Sequence, residues 1–194
     1  MNPHSRLLPD PELEEVGDRV TRALEAYSKR LLPSDLVALI DAPIESVLEN
    51  VRVNIAADSV GIWLADESRE NLEFVLVNPV DTRIIGRKQA LAEGFISLVF
   101  ASERPICENR VAEDERHSKE IDSVIGEITE AMLAVPFYVG GTLCGVISAV
   151  RWRGGGSSGE AFTSADLHVI QRSAVVLERL VNLALAKTIL GLEL

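Results

Sequence analysis

Residues 131–151 decide the fold: Ala131-Met132-Leu133-Ala134-Val135-Pro136-Phe137-Tyr138-Val139, then Gly140-Gly141, then Thr142 through Arg151. Two apolar runs of strand length meet at paired glycines, which supply the positive φ that a tight hairpin turn demands. This is an antiparallel hairpin. A second one lies upstream, where the apolar period changes from 3.6 to 2 at Ser59. Val60-Gly61-Ile62-Trp63-Leu64-Ala65 reads as a strand, residues 66–71 as a polar turn, and Leu72-Glu73-Phe74-Val75-Leu76-Val77 as the partner.

Helical periodicity flanks the two hairpins. Residues 1–10 are polar and read as a fraying tail. Leu13, Val16, Val20, Leu24, Tyr27 and Leu31 then recur at helical spacing. Glu12, Glu14 and Glu15 stand early and Lys29 and Arg30 late, the order that a helix dipole favours. Ser34-Asp35 can cap a second helix, and Ile44, Val47, Leu48, Val51 and Ile55 stripe a third. After a glycine-rich loop over residues 153–159, Thr163-Ser164-Ala165-Asp166 opens a long terminal helix. Leu167, Ile170, Ala174, Leu177, Val181 and Ala184 line one face of it, while Val176, Leu180 and Leu183 form another.

Between the hairpins the pattern is weak. Residues 78–90 fit no single period, with Ile84-Ile85 the strand-like pair in them. Residues 94–102 read as a short helix and residues 104–107 as an edge strand. Residues 108–130 read as a polar loop with one or two helical turns. The fold class is thus α+β, an antiparallel sheet with helices on one face. The middle segment, residues 80–130, covers the other face, and its length marks a lid or binding loop.

Composition narrows the role. The 194 residues suit one domain, and 47% hydrophobic with 25% charged content excludes wholesale disorder. Acidic residues outnumber basic ones 30 to 19, for a formal charge of -11. That surface repels phosphate backbones and anionic lipid, so the expected partners are not nucleic acid or membrane. Cys107 and Cys144 build no disulfide framework and point to a reducing compartment. No apolar run reaches membrane-span length and residues 1–4 show no signal-peptide pattern, so the expected location is cytoplasmic.

The order and spacing of several motifs resemble the GAF domain family, a small-molecule sensing and dimerisation module. They are Leu133-Ala134-Val135-Pro136-Phe137, Gly140-Gly141, Gly145-Val146-Ile147 and Phe162-Thr163-Ser164-Ala165-Asp166. His117-Ser118-Lys119-Glu120-Ile121-Asp122 with Thr129, and the Gly94 helix before Arg104-Pro105-Ile106, fit as well. The resemblance covers roughly residues 35–190. It implies a six-stranded antiparallel sheet with long flanking helices and a ligand between the sheet and a loop and short-helix lid. It implies a pocket at Phe95, Ile96, His117, Asp122 and Thr129. Trp63 reads as a pocket wall or a core residue, and Phe74 on the partner strand joins the candidate ligand-binding set. Of the signature found in cyclic-nucleotide-binding members, Phe162 and Asp166 match, while Val150 and Leu167 do not. An Arg151 or Arg153 pair with Asp166 is the expected brace.

Catalysis finds little support in these residues. Thiol chemistry needs a thiolate at the substrate with a second thiol nearby. Cys144 reads as a small buried hydrophobe, Cys107 follows a short strand, and no Cys lies in residues 113–130 where pigment-carrying relatives attach a tetrapyrrole. His117 reads as a surface histidine in an acidic loop, as a hydrogen-bonding ligand contact, or as an axial haem ligand. His4, His117 and His168 have no metal-site spacing, and no cofactor is named by the sequence. An anionic ligand would require Arg83, Arg87, Lys88 or Arg110.

The expected division is residues 1–33 as tail and helix and 34–194 as the sensor domain, including its terminal signalling helix. The expected function is a non-catalytic regulatory module in bacterial signal transduction. It binds a small molecule, forms a homodimer through terminal helices, whose second apolar stripe wants a partner, and acts on an effector protein or domain. The alternatives are a thiol-dependent free methionine sulfoxide reductase and a ligand-free dimeric adaptor.

Overall fold

A computed structural model describes residues 11–156 and 160–191; the expected tail and part of the 153–159 loop lie outside them. Helices α1 (Pro11–Ser28), α2 (Pro33–Leu39) and α3 (Ala42–Asn54) precede the sheet. Strands β1 (Ser59–Ala65), β2 (Asn71–Asn78) and β3 (Lys88–Ala90) follow. Next come α4 (Gly94–Ser102), β4 (Ile106–Glu108), a 3-10 turn (Val111–Glu113) and α5 (Glu120–Ile125). Strands β5 (Thr129–Val139) and β6 (Thr142–Trp152) lead to the 27-residue α6 (Ser164–Leu190). The six strands form one antiparallel sheet in the order β3-β2-β1-β6-β5-β4.

Alternation along the strands divides the core in two. Val60, Ile62 and Leu64 of β1 and Ile147 and Ala149 of β6 pack with Leu48, Val51, Ile170 and Leu177 of the helices. Trp63, Ala65, Phe74 and Val146 point the other way and pack with Phe95, Ile96, Val99 and Val111. The sheet therefore carries the long helices on one face and the short elements on the other, as the patterning predicts. A bulge between Ile62 and Trp63 skips one residue of β2 and sets Trp63 opposite Phe74. Their ring centroids are 4.2 Å apart.

Local chemistry sets the element ends. Asp41 caps α3 by accepting a hydrogen bond from Ile44 N at 3.2 Å. Thr163 and Asp166 form a reciprocal capping box at the start of α6. Gly140 and Gly141, with φ of 54° and 74°, close the β5–β6 hairpin. Gly140 N donates to Asn182 Oδ1 at 2.8 Å, tying that turn to α6. Ser28 Oγ donates to Thr142 Oγ1 at 2.9 Å, tying the end of α1 to the same hairpin.

Several boundaries differ from expectation. The first helix stops at Ser28, so Lys29 and Arg30 lie in the turn beyond it. The second begins at Pro33, and Asp35 sits inside it, accepting from Leu32 N at 2.9 Å instead of capping from outside. Ile84-Ile85 lies in a turn; the strand is Lys88–Ala90, held by backbone pairing to β2. The edge strand starts two residues later and ends one later, at Ile106–Glu108, where it pairs with Met132–Ala134. On α6 the last buried position is Leu185, and Ala184 is half-buried.

Candidate functional site

A cavity of about 50 Å³ lies between the sheet and the short elements. Its walls are mostly apolar. Trp63 of β1, Phe74 of β2 and Phe95 and Ile96 of α4 reach it from three elements, and His117, Asp122 and Thr129 from the lid and the start of β5. All seven candidate residues thus line one space. Gly94 makes the tight entry to α4: its φ is 76°, and a Cβ there would crowd the Gln89 side chain at 2.8 Å.

A hydrogen-bonded group joins lid to sheet. Asp122 accepts from Thr129 N at 2.9 Å and Thr129 Oγ1 at 2.6 Å, and lies 3.0 Å from His117 Nε2. The His117 and Asp122 side chains are only 6% and 12% exposed. His117 is therefore no surface residue, despite its acidic neighbours, because Asp122 draws it inward. Burial raises the proton affinity of the Asp122 carboxyl, and the bonds from His117 and Thr129 outweigh it, leaving the pKa below the usual range.

Further wall residues escaped the sequence reading. Ser148 accepts a hydrogen bond from Trp63 Nε1 at 3.1 Å. Gln89 is buried and donates to Glu93 O at 2.7 Å. Trp152 also lines the cavity, and its buried indole Nε1 has no hydrogen-bond partner. The period-2 alternation of β6 through Val146, Ser148 and Val150 was the available signal for Ser148. Trp152 continues that alternation.

The basic residues expected to assist an anion are elsewhere. None of Arg83, Arg87, Lys88 and Arg110 lines the cavity. Arg83 pairs with Asp81 at 2.6 Å, and Lys88 with Asp66 at 3.1 Å. The expected brace to Asp166 is absent as well. Arg151 is 5% exposed and donates to Ile55 O, Ala56 O and Glu160 O while stacking 4.1 Å from the Phe162 ring centroid. Arg153 pairs with Glu130 at 3.5 Å. Asp166 is occupied by its own helix cap, so Arg151 braces through carbonyls and an aromatic face.

Neither thiol lines the cavity. Burial pushes the Cys144 thiol up to about 11, and Cys144 faces the Ser28 carbonyl on the helix side. Cys107 is exposed at the edge strand, where partial burial and then Asp166 and Glu108 raise its pKa. His168 is exposed on α6, and His4 lies outside the described residues.

A two-sided antiparallel sheet, with long helices on one face and a lidded cavity on the other, defines a distinct type of α+β domain. The chain belongs to the GAF domain family, whose model matches residues 39–180. That family is a regulatory and sensory one found in signalling proteins. The GAF domain of an Acinetobacter phosphoenolpyruvate-protein phosphotransferase is 16% identical with a TM-score of 0.59, covering 92% of this chain and 98% of that one. The GAF-B domain of DevS from Mycobacterium smegmatis is 18% identical with a TM-score of 0.57, covering 75% and 94%. Free methionine-R-sulfoxide reductase from Neisseria meningitidis, solved with its substrate, is 15% identical with a TM-score of 0.55, covering 78% and 85%. At such identities the likeness is one of fold. No curated protein sequence matches the chain at a significant level.

Proposed function

We propose that this chain is a non-catalytic regulatory sensor that binds a small molecule in the cavity and passes the event to an effector through its terminal helices. The carrying observation is the union of seven candidate residues around one cavity, with Asp122 and Thr129 latching the lid to β5. The cavity is far below the roughly 300–1,000 Å³ of established ligand sites, so binding displaces the lid. That displacement is the signal. Residues 34–194 form the sensing unit in this reading, and residues 1–33 are an extension carrying α1.

The same reading makes the protein a homodimer. Val176, Leu183 and Leu190 of α6 are 45%, 55% and 49% exposed at seven-residue intervals. Such a seam favours pairing with a second helix. No helix among the described residues is long and apolar enough to cross a membrane, and a cytoplasmic site of action fits the free thiols. The reductase alternative lacks support, because both thiols lie off the cavity with raised pKa values. The small cavity volume favours one other reading, a ligand-free adaptor. Native mass spectrometry of protein purified from its source separates them. A dimer carrying a small-molecule mass supports the sensor, a bare dimer the adaptor, and a monomer overturns the dimer.

A further inference from the structure

We infer that the ligand is uncharged, carries one aromatic ring, and accepts a single hydrogen bond from the Trp152 indole. This rests on the sensor reading above and narrows it to a chemical class.

Charge comes first. Among the described residues the cavity walls hold no lysine or arginine, so an anion would meet only His117, already engaged by Asp122, and would face the Asp122 carboxylate. That carboxylate already receives Thr129 N and Thr129 Oγ1 and lies within hydrogen-bond distance of His117 Nε2. Its charge is thus answered by the protein, which leaves little to attract a cation. An uncharged molecule meets neither cost.

Shape and polarity come next. Trp63, Phe74, Phe95 and Trp152 line the space and favour a planar ring. The two tryptophans differ in one respect. Trp63 Nε1 donates to Ser148 Oγ, whereas Trp152 Nε1 is buried with no acceptor. Buried donors are rarely left unpaired, because nothing in the fold returns what hydration supplied. A carbonyl oxygen entering beside Trp152 completes the group.

Four probes of similar size test the class: acetophenone, isopropylbenzene, benzoate and phenyltrimethylammonium. The chain has two tryptophans, so its indole N–H resonances report each site separately in the intact protein. Acetophenone is expected to move the Trp152 indole proton downfield and to bind about tenfold tighter than isopropylbenzene, which lacks the acceptor. Trp152→Phe keeps a ring and removes the donor, so the two affinities should converge. The wild-type indole shift supplies the answer even if that variant folds poorly. Tighter binding of benzoate or phenyltrimethylammonium, or an unchanged preference in Trp152→Phe, overturns the uncharged-acceptor inference while leaving the sensor reading intact. Failure of all four probes to perturb any cavity resonance overturns the inference, and a bare dimer in native mass spectrometry is what overturns the sensor reading.

Discussion

Single atoms at four positions decide whether the sheet, the lid and the thiols behave as described. At Gly145 an added Cβ would overlap the Trp63 carbonyl of the neighbouring strand, which is backbone and does not yield. Gly145→Ala should therefore destabilise the fold by about 3 kcal/mol or more, read as a lower urea midpoint. Asp122 carries the lid latch. Asp122→Ala leaves the Thr129 backbone donor and hydroxyl unpaired together with His117, at a cost of about 2–4 kcal/mol in thermal denaturation. Faster amide exchange in residues 115–128 should accompany it. The thiols should be sluggish. In native protein Cys107 should react with a disulfide reagent more slowly than free cysteine at pH 7.5, and Cys144, up at about 11 and buried, only on unfolding. A fast thiol at either position would reopen the reductase reading.

Among the elements, α6 allows the clearest separation of folding from assembly. Leu183 is 55% exposed and outside the core, so Leu183→Arg should change stability by no more than about 0.5 kcal/mol. The same change should turn a sedimenting dimer into a monomer; an unaltered mass would place the interface elsewhere. The elements that were legible in the sequence include α3, α6, β1, β2 and the β5–β6 hairpin, whose apolar period is clear, and the short helix α4. The three-residue strands β3 and β4 were misplaced, β3 for a physical reason. β3 is Lys-Gln-Ala, held by backbone bonds to Asn71–Glu73 that leave no side-chain pattern to read. Ile84, by contrast, is apolar because it reaches the cavity from a turn. Five of the seven candidate wall residues follow from motif order and Trp63 and Phe74 from their strands, whereas Ser148 and Trp152 carry only the alternation of β6 and Gln89 carries no readable signal. His117 was unreadable as a buried group because its partner, Asp122, is met only when α5 folds.

At the scale of the whole molecule, acid should weaken the fold. Burial raises the proton affinity of Asp66, and the bonds from Asn71, Ser68 and Lys88 outweigh it, so its pKa lies below the ordinary carboxylate range, as does that of Asp122. As pH falls past about 4 the unfolded chain takes up protons first, so these groups stabilise the native state fully above that value and lose the contribution progressively as pH falls on towards their depressed native values. Asp122→Asn should flatten the acid limb of a stability–pH curve; an unchanged limb would assign it to other carboxylates. The net charge of -11, by comparison, speaks to solubility more than to a partner. The division of the sheet into two faces has one more result. Ile147 packs among the long helices, while its chain neighbour Ser148 holds the Trp63 indole at the cavity. In the sensor function proposed above, the cavity and the helix side are separated by the thickness of one peptide group. Under that proposal a pull on Ser148 would reach the anchorage of α6 through a single peptide link, with no intervening chain of contacts for the message to lose its way in.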